Sequence, residues 1–211
     1  MKCFVLCGGY GTRLNNGKPG ELKPAIKIIN KPIIKHILDI YSKHVTEFYL
    51  LGGYKIEHLN KIDFKSYKAK VSIINTGLGT STGDRLRKVK HLLKKKENFY
   101  LTYGDSLANF KPKLAMNLKN NNNYVISKYK YYPSYGILNI SNNLVTSFNE
   151  KSNFFYINAG FYIFDETVFN FMPNKKNLSL EKDLIPKILK KKKFVHMRLK
   201  NGYQWILYQI N

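Results

Sequence analysis

Strongly apolar runs that alternate with segments of helical periodicity account for most of this chain. Residues 2–7 are apolar on both faces of an extended strand, which is typical of a strand covered on each side. Comparable runs predict further strands at 47–53, 68–75, 98–105, 124–131, 136–140, 144–148 and 155–164. The asparagine run at 120–123 predicts a turn between two of these elements.

The segments between the strands predict helices. Within 31–44, apolar residues at 33, 34, 37, 38, 40 and 41 form one helical face, and Pro32 is placed in the first turn. Residues 82–96 alternate basic and apolar residues at helical spacing, which predicts a single helix. Shorter helices are predicted at 56–62, about 111–120 and 180–189.

The order of these elements predicts the fold class. Strands that alternate with helices indicate an α/β fold with a single doubly wound, mostly parallel, Rossmann-like sheet and right-handed crossovers. The length of 211 residues is enough for one sizeable α/β domain, whereas a second domain would leave both halves small. We therefore expect one domain over 1–211, without internal repeats or a linker.

The formal net charge of +23 raises the question of an anionic partner. Nucleic acid is one candidate, because its phosphates attract any strongly basic surface. However, the lysines are scattered, and Lys, Asn, Ile, Tyr and Phe are all frequent, which indicates a general compositional bias. The runs Lys94–Lys96 and Lys190–Lys193 are typical of solvated helix ends. We therefore expect no nucleic-acid partner, and an anionic small-molecule substrate benefits from the same field.

The spacing of cysteines and histidines and the length of the apolar stretches argue against several other features. Cys3 and Cys7 lie four residues apart on one predicted strand, whose extended chain does not let them bridge one another, and they are expected to be buried apolar residues. No metal-ligand or nucleophile spacing is found among the histidines His36, His44, His58, His91 and His196. No apolar stretch reaches the roughly 18 residues that span a bilayer, and the apolar start is too short for a signal peptide. The sequence therefore predicts a cytoplasmic protein without a membrane partner.

Three glycines follow the first predicted strand directly. Gly8, Gly9 and Gly11 would let backbone N–H groups approach a phosphate without interference from a Cβ atom. Arg13 adds a fixed charge whose fork geometry suits phosphate oxygens. The spacing matches neither a P-loop nor a dinucleotide fingerprint. Taken alone, this pattern also leaves a plain tight turn as an alternative.

Seven sequence blocks in order give the glycine loop a context. They are "GGYGTRL" at 8–14 with Lys23-Pro24, "NKPIIKHILDIYSKH" at 30–44, "GGYK" at 52–55, "TGLGTSTGDRLRKV" at 76–89, "LTYGDSLAN" at 101–109, "FNEK" at 148–151 and "INAGFYIF" at 157–164. In this order they resemble the sugar-1-phosphate nucleotidyltransferases, and the block at 76–89 is similar to the cytidylyl branch of that family. The resemblance covers most of residues 1–164.

The resemblance implies a function and an architecture. It implies transfer of CMP from CTP to a phosphorylated small molecule, with glucose 1-phosphate as the default acceptor, Mg²⁺ as cofactor and release of pyrophosphate. A role in surface-polysaccharide or capsule precursor synthesis would fit this activity. The implied fold is a nucleotidyltransferase sheet of the GT-A-like type with shortened C-terminal elements. Residues up to about 110 would form a nucleotide-binding half, and residues from about 111 to 211 an acceptor-binding half.

The nucleotide-binding positions are carried over from matching motifs. They are Leu6, Gly8, Gly9, Gly11, Thr12, Arg13, Thr82, Gly83, Arg85 and Gly104. Arg13 would hold the leaving pyrophosphate, Lys23 would balance charge on the reacting phosphates, and Asp105 would bind the magnesium ion. Three of these residues also have a plain structural interpretation. Lys23 could be a solvated surface lysine, Thr82 a helix cap, and Asp105 a cap of the following turn.

The acceptor-binding positions implied by the resemblance are Tyr135, Gly136, Glu150, Lys151 and Asn158. An exposed Glu150–Lys151 pair would be the plain alternative.

The sequence departs from the family pattern at several positions. A second metal-binding aspartate of the family would fall on Tyr208 or Gln209, neither of which is a carboxylate. The family's paired glycines are replaced by Ala159-Gly160, and Ser134 stands where an arginine would be expected. A different sugar phosphate or a non-sugar phosphate acceptor therefore stays open. So do a non-catalytic nucleotide-binding protein and the assembly of a homo-oligomer.

Overall fold

A computed structural model describes residues 1–11, 20–120, 123–133, 135–150, 154–191 and 193–199. Its strands are, in chain order, β1 (Lys2–Leu6), β2 (Lys27–Ile28), β3 (Lys31–Pro32), β4 (Glu47–Gly52), β5 (Lys70–Asn75), β6 (Asn98–Tyr103), β7 (Asn123–Tyr131), β8 (Ile137–Ser141), β9 (Leu144–Asn149), β10 (Phe155–Asp165) and β11 (Lys193–Arg198). The helices are α1 (Ile33–Tyr41), α2 (Ile56–Asn60), α3 (Thr82–Lys88), α4 (Pro112–Leu118) and α5 (Ile185–Lys191).

Seven of these strands form one sheet in the order β11-β7-β10-β6-β1-β4-β5. Strand β1 pairs in parallel with β4 and β6, β4 pairs in parallel with β5, and β7 with β11. Only β10 runs against its neighbours, since it is antiparallel to both β6 and β7. The predicted mostly parallel α/β sheet is confirmed. Such a sheet brings the loops after β1, β4, β5 and β6 to one edge.

Strand β1 lies at the centre of two apolar layers. Cys3, Val5 and Cys7 face one hydrophobic cluster, whereas Phe4 and Leu6 face the other. This confirms the prediction of a strand covered on both sides, because alternate side chains of a strand point to opposite faces. Both cysteines are free and buried, and burial raises the pKa of the Cys3 thiol well above its usual value.

The helix prediction at 82–96 is too long. Helix α3 ends at Lys88, and a short 3₁₀ turn follows over Lys90–Leu92. Val89, with φ −108° and ψ 10°, leaves the helical region of the backbone and is fully buried. The apolar spacing that suggests one continuous helix therefore reflects two elements packed on the same core. Pro32 is the residue before α1 and not part of its first turn.

Three further features of the fold go beyond the sequence prediction: strand β11, the pairing of β8 with β9, and the start of the late helix. Strand β11 was not predicted, because its sequence "KFVHMR" follows a lysine run and alternates only weakly. Strands β8 and β9 form a separate two-stranded hairpin. The late segment predicted as a helix at 180–189 begins as a wide helical turn, Leu180–Leu184, before α5. Within the described residues, every helix is too short or too polar to cross a membrane.

Candidate active site

The glycine loop leaves β1 at the carboxyl edge of the sheet. Gly9 and Tyr10 are exposed there, and the backbone N–H of Gly20 donates to the carbonyl of Tyr10 at 3.0 Å, which closes the loop at its base. Leu6 is buried, and its carbonyl accepts a hydrogen bond from the Gly104 N–H at 2.9 Å. The predicted residues Thr12 and Arg13 lie outside the described part of the chain. The loop thus presents exposed backbone beside the end of β6.

The glycines of this loop differ in what surrounds them. A Cβ atom at Gly9 would meet no atom of the described residues within 4 Å, so this position is open toward that part of the chain. A Cβ atom at Gly8 would lie 2.1 Å from the Arg85 guanidinium carbon. Gly11 has φ +69°, a conformation that favours glycine. An open face at Gly9 is what a phosphate group would need in order to reach the backbone N–H groups.

Lys23 and Asp105 meet beside this loop. The Lys23 Nζ lies 3.3 Å from the Asp105 Oδ2, and the two side chains are 17% and 37% exposed. Lys23 begins the 3₁₀ turn Lys23–Ala25, and the adjoining Pro24 packs against Gly104, where a Cβ would lie 2.7 Å from Pro24 Cγ. The structure thus places Lys23 in a half-buried ion pair and not on a solvated surface. The Lys23 side chain lies against the glycine loop, since a Cβ atom at Gly11 would be 3.7 Å from Lys23 Cε.

Arg85 is buried and connects the ends of three parallel strands. One guanidinium nitrogen donates to the carbonyl of Gly52 at 2.7 Å and to the hydroxyl of Thr76, and the other donates to the carbonyl of Gly8 at 2.8 Å. These acceptors follow or end β4, β5 and β1. Burial lowers the pKa of Arg85. Arg85 therefore holds the loop geometry at this edge, in addition to bringing a positive charge to it.

Thr82 and Gly83 pack against a distant segment. The N–H of Gly83 donates to the carbonyl of Leu178 at 2.8 Å, and a Cβ at Gly83 would lie 2.7 Å from that oxygen. The Thr82 hydroxyl accepts from the N–H of Leu180 at 2.9 Å. The residue at the cap position of α3 is Ser81, whose hydroxyl donates to the Leu178 carbonyl at 2.7 Å. These contacts fix the start of α3 against 178–181.

A continuous chain of hydrogen bonds links 178–181 to β10. The Thr82 hydroxyl donates to Glu181 at 2.9 Å, and the Tyr103 hydroxyl donates to the other Glu181 oxygen. The Tyr162 hydroxyl lies 3.2 Å from that of Tyr103 and accepts from the side-chain amide of Asn158. Burial acts to raise the pKa of Glu181, but the hydrogen bonds from Tyr103, Ser179 and Thr82 outweigh it and lower that pKa. We call these five residues, Asn158, Tyr162, Tyr103, Glu181 and Thr82, the polar relay.

The polar relay was missed by the sequence analysis except at its ends. Tyr103 lies inside the "LTYGD" block, but the sequence pattern singles out Asp105 there and not Tyr103. Glu181 lies near the start of the late helix, and nothing in its spacing links it to residues 82 or 103. Burial raises the pKa of Tyr162 to about 12. The polar relay joins four segments, around residues 82, 103, 158–162 and 181, that meet only in the folded chain.

The predicted acceptor residues lie along β10 and around the β8–β9 hairpin. Tyr135 is largely exposed, and Gly136 has no room for a side chain, since a Cβ there would lie 2.4 Å from the Phe148 ring and 2.8 Å from a Glu150 carboxylate oxygen. Asn158 is exposed on β10. Lys151 lies outside the described residues, as do Ser134 and the tail positions Tyr208 and Gln209. The structure thus brings Gly136 and Glu150 together at the base of the hairpin.

The departure at Ala159-Gly160 has a backbone explanation. Gly160 has φ +81°, and a Cβ there would lie 2.6 Å from the Tyr103 ring. The pairing of β10 with β7 shifts register between Asn158 and Tyr162, as at a β-bulge. Ala159 is buried in the core. The glycine that the bulge requires is thus the one that this chain retains.

Asp105 offers a carboxylate for a divalent cation beside the glycine loop. Asp105 is partly exposed at the end of β6, and no group of three or more His, Cys, Asp or Glu side chains suited to a metal occurs in the described ranges. Magnesium commonly uses one or two carboxylates and completes its shell with substrate phosphates and water. The donor set therefore fits a magnesium ion that arrives with a nucleotide.

Comparison with known proteins identifies the family. A family model described as nucleotidyl transferase matches residues 2–206. The chain belongs to the nucleotidyl transferase family. It is therefore an enzyme of the nucleotidyltransferase class, and nucleotide and sugar-phosphate substrates are expected of this family. Members of the family generally use a divalent metal.

Named relatives of this nucleotidyltransferase fall into two groups. The glucose-1-phosphate cytidylyltransferase of Salmonella typhi is 29% identical over 202 residues, which cover 82% of this chain and 79% of that protein. The bifunctional protein GlmU of Methanococcus maripaludis (strain C5 / ATCC BAA-1333) is also 29% identical, over 96% of this chain but only 50% of the relative. The first group thus matches along most of its own length.

Solved structures show the same fold. The structure of HddC from Yersinia pseudotuberculosis complexed with GMP-PN has a TM-score of 0.74 and 24% identity, and the match covers 96% of this chain and 91% of that one. A UDP-glucose pyrophosphorylase complexed with UDP-glucose has a TM-score of 0.68 and 15% identity, over 96% and 92% of the two chains. At these identities the likeness shows the architecture of the nucleotidyltransferase alone.

Proposed function

We propose that this nucleotidyltransferase transfers CMP from CTP to a phosphorylated small molecule, with glucose 1-phosphate as the first acceptor to test. The observation that carries the proposal is the Lys23–Asp105 pair, 3.3 Å apart, whose lysine lies against the glycine loop, 3.7 Å from where a Cβ of Gly11 would be. This arrangement offers N–H donors, a cation and a carboxylate in one place. Together they match the needs of a triphosphate that carries a divalent ion.

The proposed reaction is an attack of an acceptor phosphate oxygen on the α-phosphorus of CTP. A new P–O bond forms there, and the bond from the α-phosphorus to the oxygen that bridges to the β-phosphorus breaks. Pyrophosphate leaves with that oxygen, and the products are pyrophosphate and a CDP-linked acceptor. Such a displacement depends on positioning and on charge neutralisation, with no covalent intermediate on the protein.

The chain's own residues divide these tasks. Backbone N–H groups at Gly8, Gly9 and Gly11 would hold the phosphates, and Lys23 would balance their charge. Asp105 would hold Mg²⁺, which supplies charge neutralisation on the phosphates when it is bound. Arg85 stabilises the loop through its hydrogen bonds to the Gly8 and Gly52 carbonyls and the Thr76 hydroxyl. The role that the resemblance assigns to Arg13, on the leaving pyrophosphate, completes the proposal.

The proposed acceptor site lies toward β10 and the hairpin. Asn158 lies on one side, and the adjoining Gly136 and Glu150 lie at the hairpin base. The resemblance assigns Tyr135 and Lys151 to the same site. The polar relay connects Asn158 with Thr82, which is proposed to contact the nucleotide base together with Gly83. This connection gives the nucleotide-binding and acceptor-binding halves a shared set of hydrogen bonds.

The preference for CTP and for a sugar phosphate is supported by two observations. The "TGLGTSTGDRLRKV" block resembles the cytidylyl branch, and the Salmonella typhi relative is named a glucose-1-phosphate cytidylyltransferase. The product would be a CDP-activated small molecule, a donor suited to surface-polysaccharide or capsule synthesis. The altered positions near Asn158 favour testing other phosphorylated acceptors in parallel.

A substrate matrix tests this proposal. Pyrophosphate release is measured for CTP, UTP, GTP and ATP, each with glucose 1-phosphate and with other sugar and non-sugar phosphates, in the presence of Mg²⁺. We expect the fastest release with CTP and a phosphorylated sugar. Faster release with another nucleotide would contradict the CTP assignment. Calorimetric binding of CTP without release from any acceptor would contradict the proposed transfer.

A further inference from the structure

Two lysines near the end of β7 lie over aromatic rings. The Lys128 Nζ is 3.8 Å from the centroid of the Tyr156 ring, and the Lys130 Nζ is 3.7 Å from that of Phe154 and 4.8 Å from that of Tyr132. These distances are within the range of about 6 Å in which the face of an aromatic ring attracts an ammonium group. We call these residues, Lys128, Lys130, Tyr132, Phe154 and Tyr156, the lysine–aromatic cluster.

The rings of the lysine–aromatic cluster hold the two ammonium groups in place. The Phe154 ring lies 6.0 Å from that of Tyr132 and 5.4 Å from that of Tyr156, so the three rings form a row. Both lysines are partly buried against this row. A lysine ammonium has three N–H donors, and the Nε2 of His196, 3.2 Å from the Lys128 Nζ, uses one of them at most. N–H donors of both lysines therefore stay available to a ligand.

No carboxylate balances these two charges within the described ranges. The largely buried side chains of Lys2 and Lys119 each lie 2.9 Å from a carboxylate oxygen. Among the same described residues, Lys128 and Lys130 form no such ion pair. Arg198 of β11 instead lies opposite Lys128 in register, is exposed and adds a third positive charge on the same side of the sheet. Like charges placed in this way repel one another, and an anionic ligand would offset that repulsion.

The general excess of lysine in the chain does not account for this arrangement. The lysine runs at 94–96 and 190–191 are exposed, as solvated lysines are. Lys128 and Lys130 are two positions apart on one strand, so both lie on the same side of the sheet, packed against rings. We therefore attribute their placement to a ligand and not to composition.

The lysine–aromatic cluster adjoins the proposed acceptor site. Strand β10 is antiparallel to both β6 and β7, so β7 ends at the same edge of the sheet as β6, which Asp105 follows. In register, Lys128 lies directly opposite Asn158, and Lys130 lies opposite Tyr156. Residues directly opposite each other in a sheet have Cβ atoms about 4.5–5.5 Å apart. A molecule that contacts Asn158 is therefore within reach of the Lys128 ammonium group.

We propose that Lys128 and Lys130 bind a second anionic group of the acceptor, away from the phosphate that reacts. This inference rests on the proposed function, and it narrows the acceptor to a phosphorylated small molecule with a further carboxylate or phosphate group. Both groups accept charge-assisted hydrogen bonds from an ammonium. Because the contact is remote from the α-phosphorus of CTP, it acts on acceptor binding, and therefore on KM more than on kcat.

Three compounds built on the same ring test the proposal: glucose 1-phosphate, glucuronic acid 1-phosphate and glucose 1,6-bisphosphate. The second adds a carboxylate and the third a phosphate, at the end of the molecule remote from the first phosphate. KM is measured from pyrophosphate release with CTP and Mg²⁺, and Kd by calorimetry with CMP, which has no pyrophosphate to release. We expect both constants to be about tenfold lower, or more, for a doubly anionic compound than for glucose 1-phosphate. The compound with the lowest constants identifies the preferred anionic group.

Substitution of the lysines shows where the second anionic group binds. Lys128→Met and Lys130→Met remove one ammonium each, and each is expected to reduce the preference to about threefold or less. Lys128→Arg keeps the charge and is expected to keep a preference. The matched control is Lys70→Met, which removes the same charge from an exposed position at the start of β5, on the opposite edge of the sheet, and is expected to keep the full preference.

The possible results separate this inference from the proposed function. A wild type with equal constants for the three compounds, or one that binds none of them, would overturn the anion site. So would methionine variants that keep the full preference, or a Lys70→Met protein that loses it to the same extent. If Lys128→Met fails to fold, Lys130→Met tests the same cluster. Preferential binding of a doubly anionic compound without pyrophosphate release would support the anion site and contradict the proposed transfer.

Discussion

At the level of single residues, glycine serves the site in three different ways. Gly8 and Gly104 leave no space for a side chain, because the Arg85 guanidinium and Pro24 lie against them. Gly160 adopts a positive φ that other residues disfavour. Gly9 has neither constraint, since no atom of the residues that the structure describes would lie within 4 Å of a Cβ there. Of these four glycines, Gly9 is therefore the one at which we attribute the absence of a side chain to ligand binding.

This distinction predicts opposite results for two alanine substitutions. Gly160→Ala is expected to lower the free energy of unfolding by about 1–3 kcal/mol, because it combines a positive φ with a Cβ 2.6 Å from the Tyr103 ring. Gly9→Ala is expected to change stability by no more than about 0.5 kcal/mol. Its Cβ would instead obstruct one phosphate contact and weaken CTP binding about tenfold or more.

Urea unfolding and calorimetric titration with CTP and Mg²⁺ measure both effects. A Gly9→Ala protein that binds CTP as tightly as the wild type would contradict the proposed role of the loop. A Gly160→Ala protein of unchanged stability would contradict the backbone explanation for the retained glycine.

Some residues that meet at the site could be singled out from the sequence, and others could not. The sequence singled out Lys23 and Asp105, which are 82 positions apart, and the structure places them in contact. It offered no reason for the change from a paired glycine to Ala159, because the sign of φ at each position is not visible in the residue letters. The buried contacts of Arg85 were also invisible, since their acceptors are mostly backbone carbonyls.

At the level of elements, hydrogen bonds between segments hold the carboxyl edge together. Residues 178–181 are attached to α3, and the polar relay continues from there to β6 and β10. The strands themselves follow from their apolar runs, since burial on two faces leaves a clear pattern. The relay does not, because tertiary contact brings Tyr103, Tyr162 and Glu181 together. The shortened helix α3 and the unpredicted strand β11 have the same origin in tertiary packing.

Removal of one hydroxyl group tests the polar relay. Tyr103→Phe loses the donor to Glu181 and the contact with Tyr162, and it is expected to cost about 1–3 kcal/mol of stability. Because the relay connects Asn158 with Thr82, we also expect a higher KM for the acceptor. Urea unfolding and steady-state kinetics measure the two effects.

The matched control is Tyr49→Phe. The Tyr49 hydroxyl also donates to a carboxylate, that of Glu47, but this hydrogen bond stays within strand β4. We expect this variant to retain the wild-type KM. Equal kinetic effects in both tyrosine variants would argue against a specific role for the relay.

A buried ion pair at the end of β10 predicts the response to acid. The Lys119 Nζ lies 2.9 Å from the Asp165 Oδ2, and their side chains are 3% and 9% exposed. Burial acts to raise the pKa of Asp165, but hydrogen bonds from Thr167 and Lys119 and the lysine charge outweigh it and lower that pKa. Stability from this group is therefore present above its ordinary value of 3.8 and is lost as the pH falls through the lower, folded-state value.

Asp165→Asn is expected to remove this pH-dependent contribution. The variant should be less stable at neutral pH by about 3–5 kcal/mol, because Lys119 is left buried without its partner. Its free energy of unfolding should also fall less steeply than that of the wild type below about pH 4. Urea unfolding at several pH values measures both quantities, with the exposed Asp63→Asn as control. Parallel acid profiles for the wild type and Asp165→Asn would contradict this assignment.

At the level of the whole molecule, the net charge of +23 favours an anionic substrate. A positive field raises the rate at which a triphosphate or a sugar phosphate reaches the site. The glycine loop, Asp105 and the polar relay lie at the carboxyl edge of one mostly parallel sheet, where ligands of this fold class bind.

The most direct test of the proposed function is the rate of pyrophosphate release from CTP by Asp105→Asn, a substitution that keeps the shape of the side chain. The partial exposure of Asp105 leads us to expect a change in stability within about 0.5 kcal/mol. The release rate should fall about 100-fold or more, because the carboxylate proposed to hold Mg²⁺ at the phosphates is lost. A folded Asp105→Asn protein that releases pyrophosphate at the wild-type rate would contradict the proposed site.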